Sequence, residues 1–89
     1  MRVRVRVTGR VQGVGFRYHT CEQARGRALT GWVRNAADGS VEAEFQGADD
    51  AVNDMVAWCR RGPRTARVDS VTPMPCEERA SESGFRSLG

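Results

Sequence analysis

The chain has no lysine, and all 14 of its basic residues are arginine. That excludes the Gly-Lys-Ser/Thr ending of a P-loop. Histidine occurs once, at His19, and no two of the three cysteines (Cys21, Cys59, Cys76) stand in a Cys-x-x-Cys spacing. No metal site can be assembled from such a set, and an odd number of cysteines reads as free thiols of a reducing compartment. His19 and Cys21 are two residues apart, and neighbours so spaced on a helix point away from each other. No cysteine–histidine nucleophile pair results, and His19 reads as an exposed helix residue. No apolar run approaches a membrane span and no signal-peptide pattern opens the chain. Internal repeats and linkers are missing too. The expectation is a cytoplasmic protein with one domain over residues 1–89 and no membrane partner.

What is present fits a small globule. The 89 residues have room for one modest core, and 39% of them are apolar. A net charge of +3 with a pI of about 9.2 suits anionic ligands. It is too small to imply a polyanion, so no nucleic-acid partner is expected.

The first informative segment begins with strict alternation, Arg2-Val3-Arg4-Val5-Arg6-Val7, which reads as a half-buried strand with Val3, Val5 and Val7 inward. Gly9-Arg10-Val11-Gln12-Gly13-Val14-Gly15-Phe16-Arg17 follows, and a helix is expected to open near Phe16. A glycine-rich turn feeding a helix start gathers backbone N–H groups and the positive helix end around one small space, which suits an anion. Arg17 stands at its mouth with a planar fork that matches phosphate. The alternative is a plain tight turn, for which glycine is the usual residue. The glycine spacing is not that of a dinucleotide fold, so a small phosphate group fits better than a nucleotide.

The second segment is Gly31-Trp32-Val33-Arg34-Asn35, then Ala36-Ala37-Asp38-Gly39, then Ser40 to Gly47. Asp-Gly between two strand-like runs signals a hairpin. Val41, Ala43 and Phe45 would share one face, with Glu42 and Glu44 on the other. Asn35, at a strand end beside the turn, either offers its amide to a ligand or serves only the turn, where asparagine is favoured anyway.

Together the two segments resemble the acylphosphatase family. Gly9 to Arg17 reproduces its Gly-x-Val-Gln-Gly-Val-x-Phe-Arg signature. Gly31 to Gly47 reproduces Gly-Trp-Val-x-Asn, three residues, Gly-x-Val and a closing glycine. Length and element order agree along nearly the whole chain. The resemblance implies hydrolysis of acyl phosphates to a carboxylate and inorganic phosphate, without cofactor or metal. Carried over by motif, Arg17 would bind the phosphoryl oxygens with the backbone N–H groups of Gln12, Gly13, Val14, Gly15, Phe16 and Arg17. Asn35 would hold the attacking water. A free-standing monomer is expected.

The remaining pattern places a helix from Tyr18 to about Arg27, strands over Leu29–Asn35 and Ser40–Gln46, and a second helix capped by Asp49. On that helix Val52, Met55, Val56 and Cys59 form one stripe, and Gly62-Pro63 ends it. Ala66–Thr72 reads as a strand broken by Pro73 and Pro75, Glu77–Gly84 as a polar surface loop, and Phe85–Leu88 as a short last strand. Ser87 interrupts that strand's apolar pattern and leaves its register open. The order predicts an α+β, ferredoxin-like split β-α-β fold (βαββαβ), with an antiparallel sheet and both helices on one face.

Two other readings share these features. Ferredoxin-like sheets can carry RNA on exposed aromatics, but Gly13-Val14-Gly15-Phe16 falls in a turn, and Trp32 and Phe45 read as core residues. The family signatures also occur in an accessory domain at the start of larger carbamoyl-transfer proteins. A chain ending at Gly89, with no zinc-ligand region after it, is expected to be the free-standing enzyme.

Overall fold

A computed structural model describes residues 1–89. The elements run β1 (Arg2–Arg10), α1 (Phe16–Gly26), β2 (Thr30–Asn35), β3 (Val41–Gln46), α2 (Asp49–Arg61), β4 (Arg67–Pro75) and β5 (Phe85–Ser87). They form one five-stranded sheet in the order β4-β1-β3-β2-β5. The pairs β1–β3, β1–β4 and β2–β3 are antiparallel, as the split β-α-β reading requires. The sheet is nevertheless mixed, because β5 lies parallel to β2, with Phe85 beside Gly31 and Ser87 beside Val33.

The alternation in β1 works as read. Val3, Val5 and Val7 join Val41, Ala43, Phe45 and Val33 in one buried cluster with Phe16, Cys21 and Ala24 of α1 and Val52, Met55, Val56 and Cys59 of α2. Both helices therefore cover the same face. Phe16 meets Trp58 with ring centroids 5.6 Å apart, which ties α1 to α2. Phe85 stacks on Phe45 at 5.4 Å, which fixes the register that Ser87 left open. Leu88 lies beyond the strand and is exposed.

The other sheet face has no helix over it. Trp32 departs from the core reading here. It is buried on this outer face, with the guanidinium groups of Arg4 and Arg34 over its ring at 5.2 and 5.3 Å. Around it, Arg4 pairs with Glu42 and Glu44, and Arg34 with Glu42. Arg34 above all holds the Glu42 carboxyl below its ordinary value, against the opposing effect of burial.

Two further expectations need correction. β4 continues through Pro73 and Pro75, which sit opposite Val5 and Val3. Proline is tolerated because β4 is an edge strand. The Cys76 N–H donates to the Arg2 carbonyl, so by alternation the nitrogens of residues 73 and 75 face outward, where no ladder bond is lost. The cap position of α2 is Ala48, without a side-chain hydrogen bond; Asp49 and Asp50 occupy the first turn instead. Their charge still favours the helix start. Gly62 ends α2 as predicted, with φ 66° and its N–H on the Trp58 carbonyl.

The loop before β5 is polar and exposed as read, yet strapped down. Arg2, whose side chain is wholly buried, bonds Glu44 at 2.6 Å and Glu82 at 2.6 Å. Gln46 exchanges hydrogen bonds with the backbone of Arg79. No helix is long and apolar enough to cross a membrane.

Candidate active site

The chain leaves β1 at Arg10 and enters α1 at Phe16 through a loop in which Gly13 and Gly15 have φ of 74° and 82°. Both values are in the left-handed region, which costs an L residue roughly 1–2 kcal/mol and glycine little. Gly15 is the residue before α1, and no side chain caps the helix. None of the N–H groups of Gln12, Gly13, Val14, Gly15, Phe16 and Arg17 donates to an acceptor within the protein. Phe16 and Arg17 open a helix, whose first amides have no intrahelical partner, and Gly13 and Gly15 are exposed to a ligand or solvent. Here an alternating backbone and a helix start leave a run of amides for something else, the arrangement of an anion nest.

The loop, Arg17 and Asn35 come together. Val11, Gly13, Gly15, Phe16, Arg17, Tyr18 and Asn35 line one cavity of about 160 Å³. Arg17 is half-buried and has no carboxylate within 4 Å, unlike Arg2, Arg4, Arg6, Arg27, Arg34 and Arg67. Asn35 ends β2, its backbone N–H held by the Gly89 carbonyl at 3.2 Å. Its Oδ1 is buried without any hydrogen-bond partner. An orphaned buried acceptor calls for an explanation; the residue is one of those that line the cavity, and an amide oxygen can accept a hydrogen bond from a small molecule such as water.

Gln12 behaves differently from its expected place in the cradle. Its backbone N–H remains with the loop, but its side chain turns to the hairpin: Nε2 donates to the Ala36 carbonyl at 2.8 Å and the Ser40 carbonyl at 2.9 Å. One amide thus joins the phosphate-type loop to the turn that follows Asn35. The turn is itself braced, with Asp38 accepting from the Ser40 N–H and hydroxyl and pairing with Arg6. Those bonds, the Ser40 hydroxyl first, hold the Asp38 carboxyl far below its ordinary value. On the far side the Thr65 hydroxyl donates to the Val14 carbonyl. Neither clamp was read from the sequence. Gln12 was visible as a motif residue, whereas Thr65, about fifty residues from the loop, carries no local signal.

The other candidate chemistry does not converge here. His19 is exposed on α1 and stacks edge-on against Tyr18. The three cysteines are unpaired. Cys59 is buried, and burial pushes its thiol up to about 12; burial also raises the Cys21 thiol, with Arg25 and Arg17 opposing. Neither is a poised nucleophile. No three side chains of the kind that bind metal ions gather anywhere in the structure.

Comparison with known proteins points to one family. The family model described as acylphosphatase matches residues 3–87. A protein of Trichormus variabilis named acylphosphatase is 55% identical over 85 residues, covering 96% of this chain and 83% of that protein. The crystal structure of acylphosphatase from Bacillus subtilis superposes with a TM-score of 0.93 at 33% identity, covering 99% of this chain and 98% of that one. Full-length HypF, in a phosphate- and nucleotide-bound form, contains the same fold. There the TM-score is 0.89 at 22% identity, over 99% of this chain and 12% of that one.

Proposed function

The chain belongs to the acylphosphatase family and is a hydrolase of acyl phosphates; on that premise we propose that Arg17, the loop amides and Asn35 perform the reaction. The observation that carries this reading is the run of unpaired amides from Gln12 to Arg17 around a cavity shared with Arg17 and Asn35. The phosphoryl group lies in the loop, its oxygens on the amides and on the Arg17 fork. Asn35 Oδ1 accepts a hydrogen bond from water and holds it in line with the bond to be broken. The water oxygen attacks phosphorus, the bond from phosphorus to the acyl oxygen breaks, and the carboxylate departs with the bonding pair. The water proton passes to a phosphoryl oxygen, since no side-chain base lines the cavity. The products are a carboxylate and inorganic phosphate.

The leaving group is a carboxylate, so little chemical assistance is required. Fixed donors aimed at developing charge are each worth roughly 10²–10³ in rate, and positioning supplies most of the rest in phosphoryl transfer. The test is hydrolysis of benzoyl phosphate with a chelator present, by the wild type beside Arg17→Ala and Asn35→Ala. Rapid loss of substrate with the wild type, and rates at least about 10²-fold lower in both variants, is expected. A folded wild type that binds phosphate yet leaves benzoyl phosphate intact would instead be a phosphate-binding module.

A further inference from the structure

Two depressions flank the loop besides the cavity itself. One, lined by His19, Trp58 and Arg64 among others, shares no residue with the cavity. The other, of about 360 Å³, is lined by Arg17, Tyr18, Cys21, Arg25 and Ser87, and shares Arg17 and Tyr18 with it. Arg17, Cys21 and Arg25 recur every four residues, so they lie on one stripe of α1. The two arginines are eight positions apart on the helix, a rise of about 12 Å.

Both arginines lack a carboxylate partner within 4 Å. Arg25 is anchored rather than free, its Nε and Nη2 donating to the Phe85 carbonyl at 3.2 and 2.8 Å. That anchor fixes the guanidinium at the end of the groove and leaves Nη1 without a protein acceptor. The groove opens from the phosphate cavity across Arg17 and Tyr18, so an acyl group attached to a phosphoryl group held there can extend along it.

We propose that this groove receives the acyl portion of the substrate and that Arg25 reads a second negative charge at its far end, favouring acyl phosphates whose acyl group carries a distal carboxylate. The inference rests on the phosphate placement argued above. A rigid probe is 4-carboxybenzoyl phosphate, whose para carboxylate cannot reach back to its own carbonyl; benzoyl phosphate is the uncharged counterpart. The readout is the ratio of kcat/KM for the charged substrate to that for the uncharged one.

The wild-type ratio is expected to exceed one at low salt and to fall as salt screens an exposed pair. Arg25→Gln should lower it about fivefold, through KM. Because Arg25 also fastens β5, Ser87→Glu provides a second variant. It leaves that anchor in place, adds a negative charge to the groove, and should lower the ratio by a similar factor. A ratio unchanged in both variants, or a wild-type ratio at or below one at low salt, would overturn the proposal. Arg17→Ala measured alongside separates the two levels: full turnover of benzoyl phosphate there would remove the phosphate placement and this inference with it.

Discussion

At the residue scale, Arg17 and Asn35 line one cavity, and the different tasks proposed for them should separate in the kinetics of their variants. Arg17→Lys retains charge and loses the fork that can engage two oxygens at once. Turnover is expected to fall by about 10²-fold, with phosphate inhibition weakened alongside, which steady-state assays with added phosphate would measure. Asn35→Ala should reduce kcat by a similar factor while leaving phosphate inhibition within about threefold, because the contact proposed for the amide is with water rather than the phosphoryl group. Near-normal kcat would exclude Asn35 from the mechanism. His19→Ala should leave the pH–rate profile unchanged, since the imidazole is exposed outside the cavity. Arg17 and Asn35 were legible in the sequence because motif spacing carries them. The orphaned Oδ1 was not, because whether an amide is satisfied depends on neighbours brought together only by folding.

At the element scale, the candidate cavity is a joint between the β1–α1 loop and the β2–β3 hairpin, and Gln12 is the side chain across it. Gln12→Ala removes both of its bonds without touching the amide run. It is expected to lower kcat about tenfold while phosphate binds nearly as before, as kcat and phosphate inhibition measured together would show. A parallel loss of both would mean that the side chain maintains the cradle rather than the joint. The same hairpin depends on Gly31, whose φ is 141° and where an added Cβ would lie 1.9 Å from the Glu44 carbonyl oxygen. Gly31→Ala should cost about 3 kcal/mol or more and lower the melting midpoint by about 15 °C, a shift calorimetry would register. The hairpin, both helices and their shared face were legible because period and turn chemistry are local signals. The length of β4 was not. Pro73 and Pro75 read as breakers, and whether a proline ends a strand depends on whether that strand is at an edge, which is a property of the sheet. The parallel pairing of β5 was hidden for the same reason.

At the scale of the whole molecule, one sheet face is sealed by helices and the other by ion pairs, and the carboxylates of the second make it respond to acid. Arg2 holds the Glu82 carboxyl below its ordinary value, mainly through their hydrogen bond, with burial opposing. A carboxyl lowered in the folded state contributes stability that is complete above the unfolded value, roughly 4.3, and is lost as pH falls through the folded value. Glu82→Gln should therefore lower the urea midpoint near neutrality and converge with the wild type in acid. Unfolding curves at several pH values would check this, and a constant gap across the range would deny the link. The charge pattern of β1 predicted that these arginines face away from the core. It did not reveal that Arg2 would be buried beneath a loop some eighty residues later in the chain.

The proline nitrogens on the outer side of β4 have a consequence for crowded solutions. An open strand edge is a template onto which a second chain can zip, and such pairing requires alternating donors and acceptors. At positions 73 and 75 β4 offers carbonyls and no hydrogens, so a foreign strand meets gaps where its own carbonyls need partners. The opposite edge, β5, is three residues long, too short to seed much pairing. Two ring nitrogens thus disfavour strand addition along this stretch of the edge, and Pro73→Val with Pro75→Val should restore a continuous sticky margin at little cost to the folded monomer.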